Sequence, residues 1–454
     1  MQHSNAANRL DRLPISRFHK VTLVAISFAY FFEFADLNTF ATTVPKLVKI
    51  WGVSVNQIAY VTSLSFVGMF IGSMIGGLIA DRVGRKNALS ITTLWFATFS
   101  FASVFSWDIY SLGALRILTS AGLSAMTVVA VIYVNEIYPG AIRGKYQAYA
   151  IVIGICGTPV TNLIASMVVP LSDWSWRLVY LWGACGILFL LFTRFLKESP
   201  RWYESRGEYD KADAVLREIE AQVEAEKGPL PEPAAQVVVT AQQTKAPLKL
   251  LLQKKYLLPT AVLSVMWITQ TIGFFGYSSW APTLLSEEGM SVEDSIFFIA
   301  LTTVGAPLGS LLAAHVTDRF ERKWCLVVFG IVIAICGLFY GLTFNPIMIV
   351  VFGFLVNFFE RGYTAVAYAY SPEVFDTRGR SLGTGVSYGL GRLSNAIGPL
   401  IIVALYNGAG YQSVFYFIAA TWLFGAVAVA TFGPRTRQAR LDAILPGPKA
   451  KTGA

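Results

Sequence analysis

Charged residues are scarce in this sequence, and their scarcity excludes a soluble protein. Only 14% of the 454 residues are Asp, Glu, Lys or Arg, whereas 55% are hydrophobic. A soluble domain of this length needs roughly a quarter of its residues charged to cover its surface. Lipid must therefore cover much of the chain. Many apolar runs reach the about 20 residues that a helix needs to cross a bilayer, so we predict a polytopic membrane protein.

Residues that form disulfides or bind metals are also few. The four cysteines lie in or beside apolar runs, and none belongs to a C-x-x-C pair. We therefore expect neither a disulfide framework nor a metal site. No phosphate-binding loop of the G-x-x-x-x-G-K type is present, so ATP does not drive this protein. We expect no cofactor and no enzyme activity.

Twelve apolar segments are long enough to span the membrane, and a polar stretch divides them into six plus six. The predicted fold is an all-α membrane protein with twelve transmembrane helices as two pseudo-symmetric six-helix bundles. The polar stretch contains a pattern typical of a surface helix, YDKADAVLREIEAQVEAE, followed by a Pro/Gln/Ala-rich connector. The predicted domains are a cytoplasmic tail 1–20, a bundle 21–196, a cytoplasmic linker 197–256, a second bundle 257–434 and a cytoplasmic tail 435–454.

The basic residues are distributed unevenly between the two sides of the membrane. Of the 36 Lys and Arg residues, 30 fall on one side, three on the other and three within spans. By the positive-inside rule, the first side is cytoplasmic, and so are both termini. The net charge of +9 is then a topology signal that faces lipid, and it does not indicate nucleic-acid binding. We expect a cell membrane location, the inner membrane of a bacterium.

One charged motif occurs twice. GGLIADRVGRK (76–86) and AAHVTDRFERK (313–323) place Asp81 and Asp318 at a sequence offset of 237. A second pair of motifs, NEIYPGAIRGK and SPEVFDTRGRS, places Glu136 and Glu373 at the same offset. Two motifs with one offset indicate an internal duplication. Repeats of this parallel kind build transporters with a substrate site near the membrane midplane.

These motifs also resemble a known family. GGLIADRVGRK is similar to the motif between spans 2 and 3 of the major facilitator superfamily, although the second copy has Ala314 and Glu321 in place of glycines. Glu136…Arg143 and Glu373…Arg380 resemble the E-x6-R motifs of its sugar-porter and organic-ion branches. KESPRWYESRGEYDKA (197–212) is similar to a PESPRWL motif. The resemblance implies a secondary transporter that works by alternating access as a monomer.

The repeated charges suggest a gate. Asp81 can accept hydrogen bonds from a neighbouring helix N-terminus and pair with arginines. Acidic–basic sets at a water-accessible edge cost little to break, so they can close the cytoplasmic side in one state and release it in another. The alternative is that they only fix topology and folding. The predicted gate residues are Asp81, Arg82, Arg85, Glu136, Arg143, Asp318, Arg319, Arg322, Glu373 and Arg380.

Ionisable residues within the spans are candidate functional residues, because each is costly without a partner. At about 1.5 Å per residue, Asp36 of span 1 and Arg116 of span 4 reach similar depths, so they are predicted to pair. Proton-coupled sugar porters place an Asp in span 1 against an Arg in span 4, and the resemblance implies a proton role for this pair and for Glu33. The alternative is a static salt bridge. EFAD (33–36) departs from the D-G-x-D pattern of aromatic acid–proton symporters but keeps the spacing of the acids.

The second half carries the predicted substrate site. Arg392 lies about 15 Å into span 11, where a guanidinium can grip a carboxylate with two hydrogen bonds; YGLGRLSNAIGP resembles the span 11 motif of organic-anion carriers. Glu360 and Arg361 lie near the middle of span 10. Because adjacent residues point apart, we expect them to pair with other helices, for example with Arg392 or Asp36. The alternative is an internal charge network.

Span 7 supplies aromatic and amide side chains for the same site. WITQTIGFFGYSSWAP carries Trp267, Gln270, Tyr277 and Trp280, which suit a small ring-shaped solute. Aromatic residues in spans also often face lipid. Gln270 follows Glu33 at the same offset of 237, so it occupies the equivalent place in the second half. The GFFG within this segment predicts a bend.

The sequence thus favours a proton-coupled symporter of a small organic acid, an aromatic or pyridine carboxylate being the best fit. One alternative is a symporter or facilitator of a sugar or polyol, because the E-x6-R and PESPRW-like motifs also occur in sugar porters. Another is an exporter that works by proton antiport. A nutrient-sensing receptor of the same fold is a remote alternative, because its signalling needs long cytoplasmic extensions.

Overall fold

The computed structural model describes residues 5–233, 248–316, 319–375 and 379–436, and within these ranges the chain is helical with no strand. The expected all-α fold with twelve spans is therefore confirmed. Several spans consist of two helices in direct succession. Spans 1 to 12 are Arg17–Leu37 with Thr39–Trp51, Val55–Val83, Arg85–Ser103, Ile109–Ile137, Arg143–Ile155 with Gly157–Val168, Arg177–Phe195, Lys254–Ser278, Val292–Thr303 with Gly305–Val316, Arg322–Leu342, Pro346–Glu373, Arg380–Ala409 and Tyr411–Phe432.

Hydropathy alone identifies eleven of these spans among the described residues. Span 3 is the exception, because it begins with Arg85 and Lys86 and continues through several Ser and Thr residues. Its inner face is packed rather than exposed: Thr92, Phe96 and Ser100 are all buried.

The chain folds as two compact units. The first comprises Met1–Ala241 and Leu285–Ala300, and the second comprises Gln242–Leu284 and Leu301–Ala454. Spans 1 to 6 belong to the first unit, and most of spans 7 to 12 belong to the second. The helix Tyr209–Lys227, which follows span 6, also belongs to the first unit.

Closely approaching helices build each unit, and the contact is repeated. In the first unit, a Cβ added at Gly76 of span 2 would lie 2.8 Å from the Cα of Ala125 of span 4. In the second unit, a Cβ at Gly309 of span 8 would lie 2.9 Å from the Cα of Phe358 of span 10. Because real Cβ atoms do not approach so closely, these positions require glycine. They fix spans 4 and 10, which carry Arg116 and Glu360.

The repeated charged motifs make the same ion pair in each unit. Arg85 of span 3 donates from Nε to Glu136 of span 4 at 2.9 Å and from Nη2 at 2.8 Å. In the second unit, Nη1 of Arg322 lies 2.7 Å from a carboxylate oxygen of Glu373. The partners of each pair are 51 residues apart in sequence. The two pairs are related by the offset of 237, so the internal duplication extends to the contacts.

Asp81 does not receive the backbone hydrogen bonds that the sequence predicts for it. Its side chain is 71% exposed and makes an ion pair of 3.2 Å with Arg85. The backbone N–H groups at the start of span 3 donate instead to Glu198, at 2.6 Å from Arg85 and 3.1 Å from Lys86. Glu198 belongs to the KESPRW segment after span 6, which therefore fastens the end of span 6 to the start of span 3.

The second copy of the motif is altered in a way that the contacts explain. Gly84 has a φ of +91°, and a Cβ there would lie 2.7 Å from the carboxylate carbon of Glu198. The equivalent position in the second unit is Glu321, whose own carboxylate accepts a hydrogen bond of 2.9 Å from the backbone of Thr436 after span 12. In each unit one carboxylate links the start of the third helix to the end of the sixth. In the first unit this carboxylate follows the sixth helix, and in the second unit it precedes the third helix.

The other predicted gate residues lie at the same edges. Arg82, Arg143, Arg319 and Arg380 are exposed. The carbonyl of Arg82 accepts a hydrogen bond of 3.3 Å from Arg206. Asp318 lies outside the described residues.

A short N-terminal helix, Ala6–Asp11, packs on the surface helix Tyr209–Lys227. Arg9 pairs with Glu220 at 2.5 Å and with Asp213 at 2.5 Å, and Arg12 pairs with Glu220 at 2.6 Å. Leu10 and Leu216 are fully buried in the core of this unit. Burial alone would raise the pKa of Glu220, but the hydrogen bonds from Arg9 and Arg12 outweigh it and lower that pKa below its ordinary value.

Replacing Gly84 with Ala is expected to destabilise the protein. An alanine would be strained at the positive φ of this position, and its Cβ would displace the Glu198 carboxylate. Together these effects should lower the free energy of unfolding by about 1–3 kcal/mol. The thermal unfolding midpoint of the purified protein in detergent measures the effect. Gly77→Ala is the matched control in the same motif, because nothing lies within 4 Å of its Cβ position. Equal midpoints for the two variants would contradict the assignment.

Protonation of Glu220 is expected to release the N-terminal helix. Because the folded-state pKa of Glu220 is lowered, its contribution is complete above the ordinary value of 4.5 and is lost as the pH falls through the folded-state value. Amide hydrogen exchange of residues 5–16, corrected for the intrinsic rate, should rise at low pH and in Glu220→Gln at neutral pH, because both changes remove the charge that pairs with Arg9 and Arg12. Glu224→Gln, an exposed change on the same helix, should leave the exchange unaltered. Full protection in Glu220→Gln would disprove the role.

Candidate functional site

The predicted pair of Asp36 and Arg116 forms in the first unit. Arg116 Nη1 lies 2.6 Å from Asp36 Oδ1, and Nη2 donates to the Asp36 carbonyl at 3.2 Å. Asp36 is fully buried, and Arg116 is 2% exposed. An arginine and a carboxylate that are both removed from water depend on each other for neutralisation, so loss of either charge leaves the other unpaired at a cost of about 3–5 kcal/mol.

Spans 3 and 6 complete the surroundings of this pair. Asp36 Oδ2 accepts a short hydrogen bond from Ser100 Oγ. The Arg116 guanidinium lies 5.9 Å from the ring centre of Tyr180, whose hydroxyl contacts Thr43 Oγ1 at 3.0 Å. Ser100, Tyr180 and Thr43 give no signal in the sequence, because single hydroxyl residues in apolar segments resemble ordinary packing residues.

The pair also lies at a junction within span 1. Leu37 ends one helix and Thr39 begins the next. The Asp36 carbonyl at this junction accepts hydrogen bonds from Arg116 and, at 2.8 Å, from Thr39 Oγ1. Arg116 therefore holds both the side chain and the backbone of Asp36.

Glu33 lies about one turn from Asp36 and is 7% exposed. Tyr30, on the same helix, accepts a hydrogen bond of 2.8 Å from Gln147 of span 5. Buried polar side chains therefore continue along span 1 beyond the ion pair, and the proton role of Glu33 stays a prediction.

In the second unit, Glu360 and Gln270 meet between spans 10 and 7. Glu360 is fully buried, and its Oε1 accepts hydrogen bonds of 2.8 Å from Gln270 Nε2 and from Thr364 Oγ1. Its Oε2 lies 3.3 Å from Arg361 Nε. The expectation that Glu360 and Arg361 point apart is therefore wrong: the long Arg361 side chain curls back towards its neighbour, and its guanidinium lies 4.7 Å from the ring centre of Phe274.

Arg392 lies beside a cluster of three aromatic rings in the same unit. Its Nε donates to the Tyr388 hydroxyl at 2.8 Å, and this hydroxyl accepts another hydrogen bond of 2.8 Å from Tyr368. Trp267 lies 4.9 Å, centre to centre, from both tyrosine rings and donates to Ser371 at 3.0 Å. We call Trp267, Tyr368, Tyr388 and Arg392 the aromatic–arginine cluster.

The cluster is accessible on one side. Tyr368 is 51% exposed, while Tyr388 and Arg392 are half-buried. A guanidinium far along a membrane span is stable only beside polar partners or water. The cluster therefore presents a positive charge and flat apolar surfaces to the space beside it. Tyr368 and Tyr388 were missed from sequence, because tyrosines in spans commonly lie at interfaces with lipid.

The remaining span 7 candidates lie in the packed interior. Tyr277 and Trp280 are 4% and 1% exposed, and the Tyr277 ring packs edge-on against Tyr340 at 4.9 Å. GFFG does not interrupt the helix, which continues from Lys254 to Ser278, and the bend stays a prediction. The chain turns only at Ser279 and Trp280, before a short helix Ala281–Glu287. The glycines serve packing instead: a Cβ at Gly273 would lie 2.9 Å from an indole carbon of Trp422.

Among the described residues, no group of three or more His, Cys, Asp or Glu side chains could hold a metal ion.

The family model described as "Sugar (and other) transporter" matches residues 18–445. A putative metabolite transport protein of Bacillus subtilis (strain 168) is 47% identical over 433 residues, covering 95% of this chain and 96% of the relative. A niacin transporter of Acinetobacter baylyi is 26% identical over 442 residues, covering 96% and 99%.

Among solved structures, the partially occluded inward-open conformation of the xylose transporter XylE from E. coli matches with a TM-score of 0.74. The alignment covers 93% of this chain and 99% of that chain, at 18% sequence identity, so it shows the shared fold of two six-helix bundles. The family model and the close relative show more than the fold. This multi-pass membrane protein is a transporter and not an enzyme, and it belongs to the sugar (and other) transporter family of the major facilitator superfamily.

Proposed function

We propose that this protein is a proton-coupled symporter of a small organic acid, and that an aromatic or pyridine carboxylate fits its site best. The observation that supports this most is the aromatic–arginine cluster. Its guanidinium suits a carboxylate, and its rings suit a flat solute. The relative that transports niacin, a pyridine carboxylate, is consistent with the same substrate class.

In this proposal the substrate carboxylate binds Arg392, and the ring of the substrate packs against Trp267, Tyr368 and Tyr388. Gln270, Glu360 and Arg361 form the adjoining polar wall of the site. Tyr277 and Trp280 pack in the interior of the unit and hold span 7 in place beside the site. An uncharged solute such as a sugar would leave the guanidinium without its anion, so a sugar or polyol is the weaker candidate.

The proton acts on the buried pair of the first unit. A proton on Asp36 would remove the negative charge that neutralises Arg116 and would favour a conformation in which Arg116 finds other partners. Deprotonation would restore the pair. This links the conformational equilibrium to the proton gradient and supports uptake by alternating access.

We infer that the pairs Arg85–Glu136 and Arg322–Glu373 belong to the cytoplasmic gate, together with the exposed charges at the same edges. Their carboxylates are partly exposed, so water can replace each partner at a modest cost. We also propose that both termini are cytoplasmic, that the protein resides in a bacterial inner membrane and that it functions as a monomer.

Asp36→Asn is expected to abolish proton movement. The measurement is the internal pH of proteoliposomes as nicotinate, benzoate or sugars are added outside, with empty liposomes to subtract the leak of weak acids. The interior of proteoliposomes with wild type should acidify when one of the carboxylates is added. The variant should lose most of this rate of acidification, because its amide cannot be protonated near neutral pH, but it should still bind the solute. Asp173→Asn removes an acid whose side chain is 85% exposed and should behave as wild type.

Equal acidification by Asp36→Asn and wild type would reduce the pair to a structural role. Solute uptake by wild type without proton movement would make the protein a facilitator.

Arg392→Gln is expected to weaken carboxylate binding about tenfold to a hundredfold, since a charge-assisted hydrogen bond contributes about 1.5–3 kcal/mol. Arg392→Lys should retain part of the affinity, because it keeps the charge but not the planar fork. Calorimetric titration with nicotinate and with its uncharged amide measures this. The variants should bind the amide with the affinity of wild type. Parallel losses for acid and amide would show that Arg392 supports the fold of the site rather than the carboxylate.

A further inference from the structure

The second unit cannot hold the ion pair of the first. At the offset of 237, the positions equivalent to Asp36 and Arg116 are Gly273 and Gly353. Other side chains fill the space beside them: a Cβ at Gly353 would lie 2.8 Å from the Tyr277 hydroxyl, and one at Gly273 would meet Trp422. The duplication therefore kept the helices but not the pair.

A buried carboxylate nevertheless lies between the equivalent two helices. Glu360 is on span 10, which corresponds to span 4, and its partner Gln270 is on span 7, which corresponds to span 1. The residue equivalent to Glu360 in the first unit is Leu123, which is fully buried. Each unit thus has its own carboxylate between its first and fourth helices, contributed by different helices.

The hydrogen bonds of Glu360 suit a carboxyl group that gains and loses a proton. Oε1 accepts from an amide and a hydroxyl, both uncharged donors that can equally serve the carbonyl oxygen of a neutral acid. Oε2 accepts no hydrogen bond among the described residues and lies 3.3 Å from Arg361 Nε. A proton can therefore bind Oε2 without displacing a donor. Asp36 differs, because Arg116 donates to its Oδ1 at 2.6 Å and Ser100 donates to its Oδ2.

The helices around Glu360 bring few other charges. Span 10 packs against spans 7, 8, 9 and 11. Apart from Arg361 and Arg392, their charged residues lie near helix ends, and Arg392 donates to Tyr388. The charged residues near the helix ends are Lys254, Lys255, Glu293, Asp294, Arg322, Lys323, Glu373 and Arg380. The uncharged titratable residues on these helices are Tyr256, Tyr277, Tyr340, Tyr363, Tyr368, Tyr370, Tyr388, Tyr406, Cys325 and Cys336. His315 is also on span 8, but its side chain lies outside the described ones.

We propose that Glu360 is a second proton-binding residue, so that each unit binds one proton and two protons accompany each substrate. This inference rests on the proposed symport. Protonation of Glu360 removes the negative charge next to Arg361, so the surroundings of the proposed substrate site in the second unit become more positive. Proton binding in the second unit thereby increases its attraction for an organic anion.

Infrared difference spectra of the purified protein between acidic and neutral pH test the assignment without a substrate. A buried carboxylic acid gives a carbonyl band that the ionised form lacks. Wild type should show one such band that Glu360→Gln loses and another that Asp36→Asn loses. Glu288→Gln, which changes an exposed glutamate, should keep both. Arg361→Gln keeps Glu360 but removes the cation 3.3 Å from its carboxyl group, so the carbonyl band of Glu360 should shift in frequency.

The number of protons per substrate gives the second readout. In proteoliposomes with nicotinate as the probe, two protons with each anion move one net positive charge, so uptake by wild type should be accelerated by a membrane potential that is negative inside. Uptake by Glu360→Gln, with one proton for each anion, should be electroneutral and independent of that potential. A wild-type spectrum unchanged in Glu360→Gln and unshifted in Arg361→Gln would overturn the role of Glu360, even if symport holds. Two titrating bands without proton-linked uptake of nicotinate or any carboxylate would instead overturn the proposed function and leave the proton site intact.

Discussion

The cost of an unpaired charge at membrane depth governs the interior of this protein. Lipid cannot solvate an ion, so each charged side chain within a span must have partners in the protein or reach water. Arg116 has its partners in Asp36, and Arg392 has its partner in Tyr388 and an accessible side. The helices must hold those partners in place, and the close glycine contacts between spans 2 and 4 and between spans 8 and 10 fix the helices that carry Arg116 and Glu360.

The two units solve this problem differently although they share one architecture. The first buries a complete ion pair, whereas the second buries a carboxylate with uncharged donors and an arginine beside it. Their edges keep the same arginine–glutamate pair, while the backbone-binding carboxylate comes from Glu198 in one unit and from Glu321 in the other. Contacts that fasten helices were thus preserved, and contacts in the interior diverged.

Much of the fold, and one part of the candidate site, could be predicted from the sequence, because these features follow from the length of the apolar segments, their periodicity and the offset between the repeats. Composition gave the membrane class, the offset of 237 gave the repeat, and helix rise gave the pairing of Asp36 with Arg116. Contacts that depend on side-chain direction could not be predicted. Helix geometry suggested that Glu360 and Arg361 point apart, but a flexible side chain with several rotatable bonds reverses that rule. Glu198 was missed because its partners are backbone groups, which leave no trace in residue spacing.

The ion pair of Asp36 and Arg116 lies next to Asn38, where the two helices of span 1 meet. Span 1 is two helices, and Thr39–Trp51 begins just after the residue that Arg116 holds by both its carboxylate and its carbonyl. A proton on Asp36 would weaken the contacts of Arg116 with both the carboxylate and the carbonyl of Asp36. Under the proposed proton coupling, the helix Thr39–Trp51 would then lose the contacts that set its direction relative to Arg17–Leu37, so that protonation of Asp36 would free the angle between these two helices to change.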